Sequence, residues 1–205
     1  MGTSSILDII GSFVIAGFLF LMTMRMNAAA QETSSAYHMQ LSLQTNLTTL
    51  VSILEFDLRK IGYCRDFSKI PDPTKALLKA DSIGIKFLCD YNNDGNLDSI
   101  YYYLGPTTEL TDTPNPRDRY LYKKTNASTP EKWNFGTTRF AFKYYDALGD
   151  SIPFPITVPS LVASMEISVQ VEAADPYEQK YVNDPFAYET FWRQIRLVSR
   201  NLQNR

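Results

Sequence analysis

The chain has 205 residues, 44% of them hydrophobic and 20% charged, the balance of a folded protein with room for one ordinary domain and an appendage. A formal net charge of −2 offers no general basic surface to phosphates, so nucleic acid is not expected as a partner.

Near the N-terminus, ILDIIGSFVIAGFLFLMTMRM is almost unbroken apolar sequence with a single acidic residue, Asp8. Residues 9–24 are short for a bilayer, but Ile6, Leu7 and Met26 extend the run to about the 20 residues that a spanning helix needs. No Lys or Arg precedes Arg25, unlike the start of a secretory signal peptide, although Ala28, Ala29 and Ala30 resemble a cleavage site. No proline occurs before Pro71. From Leu43 the apolar residues recur at Leu47, Leu50, Val51, Leu54, Leu58 and Ile61, the three-and-four spacing of one helix face. Glu55 stands four residues before Arg59, a favourable helical pair, and Gly62 is a stop signal. The pattern predicts one helix over 4–61, apolar all round in its first half and carrying a single greasy stripe in its second. The domain reading is a hydrophobic helix half at 1–27 and a globular region at 28–205. That region comprises the amphipathic helix half, 28–62, and a β-sheet part, 63–205.

The stretch DFSKIPDPT, 66–74, reads as a loop by its Pro and Asp content. Segments rich in β-branched and aromatic residues follow: SIGIKFLC at 82–89, SIYYYLG at 99–105, RYLYKKT at 119–125, TRFAFKYYD at 138–146 and MEISVQVEA at 165–173. Alternation is plain at Ile167, Val169 and Val171. The final FWRQIRLVSRNL, 191–202, reads as a strand, with helix as the alternative. The fold class is therefore α+β: a long N-terminal helix packed on an antiparallel sheet.

Several pieces of this order carry a family resemblance. They are LEFDLRKIGYC closing the helix, the meander IGIKFLCDYNNDGNLDSIYYYLG followed by YLYKKTN, the FAFKYYDALGDSI segment, and a terminal strand ending VSRNL. Together they resemble the type IV pilin superfamily, most of all the J-type minor pseudopilins of type II secretion and the W-type minor pilins. The resemblance implies a structural subunit, not an enzyme, of a type IV pilus-like or type II secretion pseudopilus-like filament. Its partners would be other pilin-like subunits, its location the inner membrane before assembly and a periplasmic or extracellular filament afterwards. In that family a glutamate at the fifth position of the mature chain pairs with the N-terminal amine of a neighbouring subunit, and Asp8 is the residue here that matches this assembly role. Cleavage after Thr3 would make Asp8 the fifth residue, cleavage after Gly2 the sixth. The plainer reading of Asp8 is a carboxylate that snorkels to the membrane surface or favours the helix N-terminus.

The stretch DYNNDGNLD, 90–98, supports two readings. Side-chain oxygens at Asp90, Asn92, Asp94 and Asp98, a backbone carbonyl at Asn96 and a turn at Gly95 match the first nine positions of a calcium loop. The twelfth position is Tyr101 rather than Glu, and the flanks read as strands, so the other reading is a polar hairpin turn. In an exported domain Cys64 and Cys89 would bridge the helix end to the sheet, closing a loop of about 25 residues worth roughly 3 kcal/mol; the alternative is two buried thiols.

Signals for catalysis are few. The sole histidine, His38, falls on the helix, and no Gly-x-Ser-x-Gly, HExxH or Gly-rich phosphate loop occurs. Tyr101, Tyr102, Tyr103, Tyr120, Tyr122, Tyr144 and Tyr145 could stack on sugars or serve as sheet packing. Asn46 and Asn126 begin glycosylation-type tripeptides. The alternative to a filament subunit is a membrane-anchored, monomeric, extracytoplasmic module that binds calcium or a glycan.

Overall fold

The computed structural model describes residues 3–176, 188–198 and 201, with side chains from residue 6 onward. The chain divides into two compact units, Met1–Ser42 and Leu43–Arg205.

One helix, α1, runs over Thr3–Arg59. In the second unit its apolar stripe is the heart of the core: Leu43, Leu47, Leu50, Val51, Leu54, Leu58 and, just past the helix, Ile61 are all buried. Each fully covered leucine stabilises by about 1.5–3 kcal/mol relative to an exposed one, which is why this part of the helix is held against the sheet. The helix ends where the sequence predicts. Gly62 adopts φ 73°, a left-handed conformation that glycine reaches without strain, and its N–H donates to the Leu88 carbonyl at 3.0 Å.

The sheet contains β1 (Leu77–Ala80), β2 (Gly84–Cys89), β3 (Asp98–Leu104), β4 (Arg119–Thr125), β5 (Glu131–Tyr145), β6 (Ser151–Ile152), β7 (Ser164–Glu172) and β8 (Thr190–Leu197). Its order is β1-β2-β3-β4-β5-β7-β8, with β6 beside β5 and every pairing antiparallel. The predicted strands are present, and β8 resolves the last segment as strand. The expected continuation at 199–200 and 202 lies outside the described residues. Missing from the sequence reading are β1 and β6, too short for an alternation to register, and the first half of β5, where Asn134 and Gly136 interrupt the pattern.

That first half explains how one strand serves two neighbours. β5 pairs with β4 through residues 131–137 and with β7 through residues 137–145. At the changeover Gly136 has φ 68°, and a Cβ placed on it would lie 2.5 Å from the Glu172 carbonyl oxygen. Only glycine fits such a bend. The inward faces of the strands then meet α1 with Ile85 and Phe87, Ile100 and Tyr102, Leu121, Phe140, Phe142 and Tyr144, and Met165, Ile167, Val169 and Val171, all buried.

Candidate functional site

In the first unit, α1 presents large apolar side chains to its surroundings: Phe13 is 74% exposed and Met26 74%, and Phe18, Phe20 and Met22 are exposed as well. The helix is long and apolar enough to cross a membrane, and none of its most apolar 18-residue window is buried within the chain. Asp8 sits in this stretch, exposed, with its main-chain carbonyl accepting from the Ser12 hydroxyl at 2.7 Å. Its carboxylate makes no hydrogen bond or ion pair with any described residue.

In the second unit, the 90–98 loop joins β2 to β3, and the side-chain oxygens of Asp90, Asn92, Asp94, Asn96 and Asp98 accept hydrogen bonds from N–H groups. Asp90, wholly buried, accepts from the main-chain N–H of Arg65 at 3.1 Å and Gly95 at 2.9 Å through Oδ2, and from that of Asp94 at 3.0 Å through Oδ1. Asp94 accepts from Asn96 N–H at 2.7 Å and the Asn92 amide at 2.9 Å. These bonds, the Asn96 one foremost, hold the Asp94 carboxyl below its ordinary range. Asn92 Oδ1 accepts from Asp94 N–H at 3.2 Å, and Asn96 Oδ1 from the Lys69 ammonium at 2.5 Å. Asp98 accepts from Tyr91 N–H at 3.2 Å and the Asn126 amide at 2.7 Å. Asn93 and Gly95 take left-handed conformations, φ 63° and 83°. The loop turns between two antiparallel strands, and among the described residues no three His, Cys, Asp or Glu side chains converge as metal ligands. The Asn126 amide also accepts from Ser99 N–H at 2.8 Å.

Cys64 and Cys89 are buried and both free, so the expected bridge is not formed. The Cys64 thiol lies instead 3.7 Å from the Gly95 carbonyl, as its donor. Burial, with the Asp57 charge adding to it, pushes the Cys89 thiol up to about 12.

The helix is tied to the sheet by a buried charge cluster that the sequence reading missed. Asp57 accepts from the Lys123 ammonium at 2.7 Å and from the Tyr102 hydroxyl at 2.5 Å. Lys123 also donates to the Tyr91 hydroxyl at 2.9 Å and lies 4.2 Å from the centre of that ring. The two charged side chains are 2% and 5% exposed. Burial opposes the ammonium, but the bonds to Asp57 and Tyr91 leave Lys123 above its usual range. Burial and the Asp57 charge raise the Tyr102 hydroxyl. A signal existed: Asp57 stands seven residues after Leu50 and three after Leu54, on the apolar stripe itself, where an unpaired carboxylate would be unfavourable.

Of the tyrosines, Tyr102 and Tyr144 are core residues, while Tyr101, Tyr103 and Tyr122 stack across β3 and β4 with ring centres 4.7 and 5.0 Å apart. On the face of β5, β7 and β8 turned from the helix, a groove of about 550 Å³ is lined by Arg139, Lys143, Glu166, Gln170, Gln194 and Trp192. Trp192 is 67% exposed, and Lys143 pairs with Glu166 at 3.7 Å.

These features define an α+β protein whose N-terminal helix could anchor it in a membrane. No protein-family model matches the chain, and no curated protein is detectably similar to it.

Proposed function

We propose that the chain is a structural subunit of a type IV pilus-like or type II secretion pseudopilus-like filament, assembled through the apolar half of α1. One observation carries the reading: the helix presents an uncovered apolar surface with a carboxylate at its start that pairs with no described residue, and its C-terminal part belongs to a folded domain. A helix of this kind is stored in a bilayer and, on leaving it, needs other helices to cover the same side chains. Asp8 costs free energy in lipid, and a positive group from a neighbouring subunit offsets part of it on assembly. The subunit resides in the inner membrane before assembly and in a periplasmic or extracellular filament afterwards, with other pilin-like chains as partners and no catalytic role. Electron microscopy of sheared surface material, with mass spectrometry of the N-terminus, tests this. Filaments containing the chain with residues 9–24 intact are expected, and Asp8→Ala abolishes them. Recovery of the chain only as a soluble monomer lacking its apolar segment refutes the proposal.

A second reading, a membrane-anchored monomeric binding module, draws on the outer groove, where an exposed Trp192 beside Gln170, Gln194 and Arg139 offers a stacking platform with polar neighbours. A single monodisperse species in detergent that binds a glycan, with no polymer under any condition, is its signature.

A further inference from the structure

Successive side chains of a strand point to opposite faces, so the register of β5, β7 and β8 arranges the residues turned from the helix in rows across the three strands. One row is Arg139, Gln170 and Trp192, the next Ala141, Ser168 and Gln194, and the third begins with Lys143 and Glu166. The middle row opens with small side chains between rows of long ones, which makes the groove of about 550 Å³. Its walls are held in place. Glu166 pairs with Lys143 at 3.7 Å and accepts from the Tyr145 hydroxyl at 3.2 Å. On the opposite wall the Gln170 amide donates to the buried Glu172 at 2.9 Å, which leaves its carbonyl oxygen as an acceptor. Other groups in the groove are uncommitted: the Arg139 guanidinium, the Gln194 amide and the Trp192 indole N–H, all on exposed residues, make no hydrogen bond or ion pair with any described residue. The Lys143 and Glu166 charges offset each other, so the unbalanced charge of the lining is the positive one of Arg139, on a chain of formal net charge −2.

We propose that this groove binds an acidic oligosaccharide of the uronate type, its carboxylate held by Arg139 and a pyranose ring lying on Trp192. The inference rests on the groove being a glycan site, as in the second reading above, and holds for a filament subunit as well as for a monomer. A guanidinium meets a carboxylate through paired parallel N–H···O bonds, a fit that a sugar hydroxyl does not offer. The apolar face of a sugar ring packs on a flat, exposed indole, and its hydroxyls suit the Gln170 carbonyl and the Gln194 amide. Size agrees with this. Neighbouring strands lie about 4.8 Å apart, so Arg139 on β5 and Trp192 on β8 stand roughly 10 Å from each other at the main chain, about the length of a disaccharide. An acidic peptide would meet the same guanidinium, but the floor of Ala141 and Ser168 gives it no pocket for an apolar side chain.

The test uses the full chain in detergent micelles and calorimetric titration with trimers of galacturonate, glucuronate and mannuronate, each beside its neutral parent sugar, and with a triglutamate peptide. A uronate trimer is expected to bind about tenfold or more tightly than its neutral counterpart and than the peptide. Arg139→Gln lowers the uronate affinity by about 10- to 100-fold, to that of the neutral sugar. Trp192→Ala weakens acidic and neutral sugar alike, by about tenfold. Both side chains are exposed, so both variants keep the parent's circular dichroism spectrum. Lys75→Ala, which removes a positive charge outside the groove, leaves binding unchanged. Equal affinity for acidic and neutral sugars overturns the acidic class while the glycan reading of the groove stands. An acidic preference that survives Arg139→Gln overturns the proposal as well. Binding of no sugar at about 10 mM removes the proposal and the glycan reading together, and tighter binding of the peptide than of any sugar overturns both in favour of a protein partner.

Discussion

Replacing Asp57 by Ala removes one partner of a buried pair and leaves the other in place. The Lys123 ammonium, with its side chain 5% exposed, keeps only the Tyr91 hydroxyl and nearby aromatic faces, and the buried Tyr102 hydroxyl loses its acceptor. Breaking a buried ion pair in this way costs about 3–5 kcal/mol. In a domain of this size each kcal/mol lowers the midpoint by about 2–4 °C, so a fall of roughly 6–20 °C is expected. The triple change Asp57→Leu, Lys123→Met and Tyr102→Phe takes away charge and donors together, and its stability should return to within about 1–2 kcal/mol of the parent. Thermal unfolding in micelles, followed by circular dichroism and by the fluorescence of Trp133, whose ring centre lies 5.7 Å from the Lys123 ammonium, reads both. A loss under about 1 kcal/mol for Asp57→Ala, the range of exposed pairs, refutes the reasoning. So does a triple variant no more stable than the single one.

Further expectations concern other parts of the core. Leu54→Ala should cost about 2–5 kcal/mol and Phe56→Ala, on the exposed side of the same helix, under about 0.5, by urea unfolding. Gly136→Ala should cost about 2–4 kcal/mol, because it adds a left-handed strain to a 2.5 Å approach to the Glu172 carbonyl; an unchanged urea midpoint would contradict the bend at β5. Both cysteines should titrate as free thiols in the unfolded chain and resist a thiol reagent at pH 8 in the folded one, since both are buried and Cys89 is pushed up to about 12. Lys123 and Tyr102 are raised, so the folded chain keeps protons that the unfolded chain sheds; stability is full below pH about 10 and declines above it, and unfolding measured from pH 8 to 11 shows the slope.

Local pattern was enough for the helix and its buried stripe, because a three-and-four spacing states at once which residues are helical and which face is covered. It was enough for the strands of five or more residues apart from the front of β5, and for the Gly62 stop, since each is written in neighbouring side chains. The oxygens at 90–98 have the spacing of a cation loop, and which nitrogens they accept from, with Arg65 N–H and Lys69 arriving from the segment after the helix and Asn126 from the β4–β5 turn, was decided only in the folded chain. The pairing of Asp57 with Lys123, 66 residues apart, was likewise decided by tertiary structure. Periodicity reports the environment along one element. Which donor reaches which buried acceptor depends on how separate elements are brought together, and no local spacing encodes that.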